Sequence, residues 1–377
     1  MIGRGNPIVL SGTGNLRHDE RRSGRFTGEG VRRADRAIGN DDDAPFRYLT
    51  GFSSCRRLEP MSYTYRQDEL IRTRGEAPLQ RPLLQLEPLV RIFGAAELSA
   101  RRRGLFDPSA TESAIVIGDA KHVLEALPDC AFQTCITSPP YWSLRNYDIE
   151  GQIGLESSLT AYVDSLVAVF EQVRRVVRED GTLWLNIGDS YTSGGRTWRA
   201  PDKKNPARAM DVRPPTPDGL KPKDLIGVPW RLAFALQSAG WYLRADCIWN
   251  KPNAQPESVK DRPTRSHEYV FLFSKSERYL YDNEVIRGPN ERNLRTVWDI
   301  NTEPNKHAHE AMFPTKLVEP CLTLTSRRGD VILDPFLGSG AAGLVALRLQ
   351  RRFVGIELNP DYAADAERRL NGAVIRD

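Results

Sequence analysis

From about residue 113 onward, short apolar, β-branched runs alternate with stretches whose apolar positions recur at helical spacing. Ala114-Ile115-Val116-Ile117 is the first such run, and Gly118-Asp119-Ala120 turns into a short helix ending near Leu127. Residues 132–136 form the next predicted strand. Over 159–177, Tyr162, Leu166, Val169, Phe170, Val173 and Val177 fall on one face with charges between them, the period of an amphipathic helix. Gly181 opens a strand over 182–187. Strands are also expected at 242–250, 268–274, 331–333 and 353–356, and helices at 228–239, 315–326, 341–350 and 360–371. Strands that read as continuous apolar runs between helices are buried on both faces. The pattern predicts an α/β fold: a doubly wound, mostly parallel seven-stranded sheet covered by helices on both sides.

Two polar stretches interrupt this rhythm. Residues 192–223 hold six prolines and eight Lys/Arg against three Asp, and a loop of that length inside a domain is usually either functional or disordered. Lys203, Lys204 and Arg208 are its candidates for contacts with nucleic-acid phosphates. A second insert, near 276–306, carries Arg287, Arg292 and Arg295. Residues 1–110 differ from the rest: no Lys precedes Lys121, Arg, Gly and Asp dominate, and apolar periodicity is weak up to about residue 80. This composition predicts a disordered or loosely docked extension, with the folded domain spanning 111–377. A basic arm that helps hold nucleic acid, or a translation start assigned too far upstream, are the other readings of this extension.

Composition narrows the classes. An apolar content of 40% supports a real core, and a net charge of +4 on 377 residues does not by itself require a polyanion. The five cysteines (Cys55, Cys130, Cys135, Cys247, Cys321) are scattered without a C-x-x-C, so neither a disulfide framework nor a zinc site is expected. A reducing cytoplasm is the expected home. No apolar run is long enough to span a bilayer, and the N-terminus lacks a signal-type apolar core.

Chemistry concentrates in two loops, each at the end of a predicted strand, where open α/β sheets bind ligands. Asp334-Pro335-Phe336-Leu337-Gly338-Ser339-Gly340 runs into a helix, and its glycines let a ligand approach the backbone. Glu357 follows 23 residues later at the tip of the next strand, the expected place for an acid holding ribose hydroxyls. The loop is neither G-x-G-x-x-G nor a P-loop. An acid where a phosphate site has glycine suits a cationic cofactor, and S-adenosyl-L-methionine carries both a sulfonium and an ammonium. In the other loop, Ser138-Pro139-Pro140-Tyr141, two prolines stiffen the backbone and cannot donate. The Ser138 hydroxyl and the carbonyls of 138 and 139 can accept from an exocyclic amino group, while Tyr141, with Trp142, offers a face for a flipped base. Together the loops point to group transfer onto a nucleobase.

These residues resemble the DNA amino-methyltransferases in which the catalytic segment precedes the cofactor loop, a permuted motif order on a Rossmann-like methyltransferase fold. Within them the Ser-Pro-Pro-Tyr tetrapeptide is similar to that of the cytosine-N4 group, where adenine-N6 enzymes usually carry Asp or Asn first. The resemblance runs from about 113 to 371 and includes Trp249-Asn250-Lys251-Pro252 and His267-Glu268-Tyr269. It implies that Asp119, Phe313, Asp334, Phe336, Gly338, Gly340 and Glu357 line the donor's site, with Asp119 reaching its adenine amino group and the 309–314 segment walling its amino-acid end. It implies that Ser138 and the Pro139 carbonyl engage N4 of a flipped cytosine while Pro140 stiffens the loop and Tyr141 holds the ring. No metal is called for. Double-stranded DNA is the implied partner of a monomer or dimer, within restriction-modification or epigenetic marking and with a cognate restriction endonuclease that is not physically bound. Adenine-N6 methylation is the alternative; an RNA or protein amide methyltransferase and an inactive DNA-binding relic are more distant. His267 is expected to be structural rather than a general base, and Trp184, Phe271 and Phe273 to lie in the core.

Overall fold

The computed structural model describes residues 90–107, 110–193, 198–199, 209, 213–288, 292–303 and 313–374. All belong to a single unit. Lys203, Lys204, Arg208 and residues 309–312 of the donor-wall segment lie outside the described residues.

The strands are β1 (Val90–Gly94), β2 (Ser113–Ile117), β3 (Phe132–Thr137), β4 (Val177–Ile187), β5 (Tyr242–Asn250), β6 (His267–Ser274), the two-residue β7 (Arg287–Gly288) and β8 (Arg292–Asn293), β9 (Val297–Asp299), β10 (Val331–Asp334) and β11 (Arg352–Glu357). The helices are α1 (Ala95–Leu105), α2 (Ala120–Ala126), α3 (Leu159–Val176), α4 (Val228–Ser238), α5 (Thr315–Thr325), α6 (Ala341–Arg348) and α7 (Pro360–Val374). Among the described residues nine strands form one sheet in the order β1-β2-β11-β10-β3-β4-β6-β5-β9, and β7 pairs only with β8. Neighbours from β1 through β4 are parallel; β6 runs antiparallel to both β4 and β5.

The apolar runs explain the central strands. β3 and β10 are buried at every residue, as a strand covered on both faces requires. Leu98 of α1, Val123 and Leu124 of α2, and the apolar stripes of α3 and α4 form a core on one face. α5, α6 and α7 build the second core on the other face. Trp184, Phe271 and Phe273 are buried as expected. α3 starts where Ser158 caps it, its hydroxyl oxygen accepting the Ala161 N–H at 3.1 Å.

The sheet is wider than the seven strands expected. β9 adds an edge inside the second polar insert, pairing in parallel with β5 and burying Trp298 against Trp184. β1 adds the other edge, and with α1 it moves the start of the described fold from residue 111 to Val90. Phe93, Leu98 and Leu105 are buried, and the Asn371 amide pairs with both the N–H and the carbonyl of Val90. Residues 90–107 are therefore part of the sheet and its core rather than of a loose extension. β4 begins five residues before the expected 182, at Val177, opposite Phe132, with a register irregularity before Thr134. Gly181 sits in that irregularity, where a Cβ would come within 2.7 Å of the Gln133 carbonyl oxygen.

The topology places the site. From β3 the chain steps to β4 on one side, and from β10 it steps to β11 on the other, so the strand order reverses between adjacent β3 and β10. Crevices at such switch points are where α/β sheets bind ligands. Because β6 is reversed, its first residues share an edge with the last residues of β4 and β5: Tyr269 pairs with Ile187, and His267 with Asn250.

Candidate active site

A 510 Å³ cleft opens along the carboxyl edge of the sheet at this switch point. Ser138, Pro139, Pro140 and Tyr141 line one side; Asp119, Phe313, Phe336, Gly338 and Glu357 line the other. The two expected loops, 197 residues apart at their bases, are tied by one hydrogen bond: Thr137 Oγ1 at the end of β3 donates to Asp334 Oδ1 at the end of β10, at 2.6 Å.

Asp334 lies beneath the cleft lining, 1% exposed. Its Oδ1 also accepts the Phe336 N–H at 3.1 Å, and its buried Oδ2 has no hydrogen-bond partner among the described residues. Burial pushes its pKa to about 7; the bonds from Thr137 and Phe336 oppose that rise, and the Glu357 charge adds to it. A buried carboxylate oxygen without a partner is costly unless a cation or donor completes it. Glu357 holds the loop from β11: its Oε2 accepts the Gly338 N–H at 2.8 Å and its Oε1 the Asn359 N–H at 2.9 Å. Its pKa is raised by burial against these bonds. Gly340, at φ +79°, caps α6 in the left-handed region and faces Ala366 and Leu370 rather than the cleft. Asp119 caps α2, with Oδ1 accepting the His122 N–H at 2.9 Å.

The Ser138–Tyr141 loop is braced from below. Tyr162, on α3, donates its hydroxyl to the Pro140 carbonyl at 2.9 Å. Trp142 packs in the core at 4% exposure, so the face expected of it is turned away and, of the two, Tyr141 is the one that lines the cleft. Ser138 Oγ donates to Tyr141 Oη at 3.4 Å, and Tyr141 Oη donates to Glu268 Oε2 at 2.8 Å. Burial, then the Glu268 charge, pushes the Tyr141 phenol up. Glu268 at the start of β6 also accepts from Asn186 of β4 and from Lys251, just past β5. Asn186, Lys251 and Glu268 all line the cleft, and no role for them follows from the sequence pattern alone. Their convergence depends on the reversal of β6. His267 stacks edge-on against Tyr269 and does not line the cleft.

The basic insert leaves from this same edge. Thr192 bonds the carbonyls of Asp224 and Lys221, and Ile226 bonds that of Ser190, so both ends of the insert are pinned together. Asp189 then takes the N–H groups of Gly227 and Val228 and anchors the start of α4.

Comparison with known proteins agrees with this geometry. The N6/N4 methylase family, described as DNA methylase, matches residues 132–368. Two type II methyltransferases are similar over most of their length: M.Cfr9I of Citrobacter freundii, 60% identical over 68% of this chain and 86% of its own, and M.SmaI of Serratia marcescens, 58% identical over 68% and 90%. Among solved structures, TTHA0409 of Thermus thermophilus in complex with S-adenosyl-L-methionine is 27% identical, with a TM-score of 0.51 over 69% of this chain and 93% of its own. The cytosine-N4-specific PvuII DNA methyltransferase, 22% identical, shares the fold with a TM-score of 0.51 over 70% and 91%. Matching more than half of the chain, with both site loops inside the match, the family profile places it: the protein is a member of the N6/N4 family of DNA methylases.

Proposed function

We propose that the protein transfers a methyl group from S-adenosyl-L-methionine to the exocyclic N4 of a cytosine flipped out of double-stranded DNA. The observation that carries this reading is the Thr137–Asp334 bond, which sets an amino-accepting loop directly beside an acidic, cation-suited one. The acidic side fits the cofactor: the unpartnered Oδ2 of Asp334 calls for a donor such as the ammonium, and Glu357 and Asp119 stand at the neighbouring strand ends. Bound there, the cofactor supplies an electrophilic methyl on a sulfonium.

The chain's own residues do the rest. Ser138 Oγ and the Pro139 carbonyl accept from the amino group and keep lone-pair density on its nitrogen. Tyr141 holds the base ring, and the Tyr162 bond to Pro140 keeps the loop from yielding. The exocyclic nitrogen is itself the nucleophile, so no cysteine adduct is required. The short Ser138 hydroxyl, where adenine enzymes usually carry an acid or amide, favours cytosine. The basic insert, rooted beside Asn186 and Asp189, touches DNA phosphates through Lys203, Lys204 and Arg208 and helps choose the site, with 276–306 as the second candidate segment. Kinship with type II methyltransferases supports a role in restriction-modification, opposite an endonuclease of the same specificity.

Single-turnover assays with labelled donor test the loop roles. Ser138→Ala should slow methyl transfer roughly 10- to 100-fold with DNA affinity kept, as loss of one reaction-coupled hydrogen bond implies. Tyr141→Ala should lower both rate and affinity. Unchanged rates in both variants would move the chemistry away from this loop.

A further inference from the structure

The wall of the cleft formed by Lys251, Glu268, Asn186 and Tyr141 contains a directional chain of hydrogen bonds. Glu268 and Lys251 are each 18% exposed, and the ammonium is within contact of one carboxylate oxygen, Oε1. Lys251 is also held 4.2 Å above the centre of the Trp249 ring. The second oxygen, Oε2, receives Asn186 Nδ2 at 3.1 Å and Tyr141 Oη at 2.8 Å. An ionised carboxylate can only accept, so its partners must donate. Asn186 stays fixed because its amide also donates to the Tyr269 carbonyl at 3.2 Å.

Consequences run outward from this anchor. A phenol has one proton, and Tyr141 gives it to Glu268, so its oxygen is left as an acceptor. Ser138 Oγ, 3.4 Å away, gives Tyr141 its own proton. The lone pairs of Ser138 are then what the loop offers to the cleft. Were the chain reversed, with Tyr141 donating to Ser138, Ser138 would present a proton and suit a carbonyl instead.

We propose that the Lys251–Glu268 pair is a positioning device that polarises Tyr141 and Ser138, so that Ser138 accepts from an amino-bearing base and is closed to a keto-bearing one. The inference rests on the reading of Ser138 given above. Glu268 and Lys251 act through Tyr141 and touch no reacting atom. The pair thereby selects the chemical class of the base edge, an exocyclic amine over a carbonyl, before any contact with the DNA sequence does.

A double-mutant cycle separates this from a structural role. Glu268→Gln puts an amide at the anchor, which can donate to Tyr141 and release the direction of the chain. Tyr141→Phe keeps the ring and removes the relay hydroxyl. Each should lower the single-turnover rate roughly 10- to 100-fold, the range for one hydrogen bond to a charged group, with Kd for donor and for DNA unchanged within about threefold. The double variant should be no slower than the slower single one, because Glu268 works only through the hydroxyl already removed. Multiplying rate losses, or a fall in donor affinity and Tm in Glu268→Gln alone, would overturn the proposal in favour of a packing role. Full activity in both single variants would also overturn it, while a slow Ser138→Ala would leave the reading of the loop standing. A Ser138→Ala variant with wild-type rate would instead defeat that reading itself.

Discussion

Replacing Asp334 by Asn should strengthen the fold and weaken cofactor binding at the same pH. Burial lifts the carboxyl from 3.8 to about 7 despite the bonds from Thr137 and Phe336. About three pK units at ~1.36 kcal/mol each mean that ionised Asp334 costs the cofactor-free fold on the order of 4 kcal/mol above pH 7. Between pH 4 and 7 the folded protein holds a proton that the unfolded chain has released, so stability falls as pH rises across that window. The amide of Asp334→Asn keeps an acceptor for Thr137 and Phe336 and never ionises. It does place an NH₂ where Oδ2 now lacks a partner, which returns about 1–3 kcal/mol. The variant should thus be more stable than wild type by roughly 1–3 kcal/mol at pH 8, an advantage that disappears near pH 5. Its affinity for S-adenosyl-L-methionine should drop by about 1.5–3 kcal/mol, or roughly 10- to 150-fold, through loss of a charge-assisted bond. Thermal unfolding without cofactor and calorimetric titration, both at pH 8, measure the two effects. A variant that is less stable and binds the cofactor as tightly as wild type would show that Asp334 is neither strained by burial nor a partner of the cofactor.

Other expectations follow from the same geometry. A chain starting at residue 108 should fail to fold, because it loses Val90, Phe93, Leu98 and Leu105, each 5% exposed or less; at ~1.5–3 kcal/mol per buried side chain their loss rivals the whole stability of a domain. A chain starting near residue 88 should give a cooperative melt by circular dichroism, and equal melts for the two would remove β1 from the core. Neutralising Lys203, Lys204 and Arg208 together should weaken DNA binding and flatten its salt dependence by roughly one unit of slope per lost phosphate contact. Filter binding across salt concentrations that shows an unchanged slope would place the DNA-facing surface elsewhere.

Much of this architecture could be read along the chain. The buried strands β2, β10 and β11 have uninterrupted apolar centres, β3 sets Phe132, Cys135 and Ile136 around buried Gln133 and Thr134, and α3 carries a clean 3.6-residue stripe that ends one residue before the expected Val177. The edges were harder to read. β1 is a five-residue strand with Arg91 at its second position, and α1 holds an Arg101-Arg102-Arg103 run that hides the spacing of Leu98 and Leu105. The opening of β4 is written in charged letters, Arg178-Glu179-Asp180, because that end of the strand is partly exposed. β9 has only three residues and a single buried anchor, Trp298. Both site loops were legible because strand, turn and helix are local. The Glu268 network was not: Tyr141, Asn186, Lys251 and Glu268 meet only through pairing across four strands, β3, β4, β6 and β5, one of them reversed.

The atom that receives the methyl group can be identified directly. DNA incubated with the protein and isotopically labelled S-adenosyl-L-methionine can be digested to nucleosides and resolved by mass spectrometry. Label is expected in N4-methylcytosine and is lost in Ser138→Ala. Label in N6-methyladenine, with none in N4-methylcytosine, would overturn cytosine N4 as the acceptor.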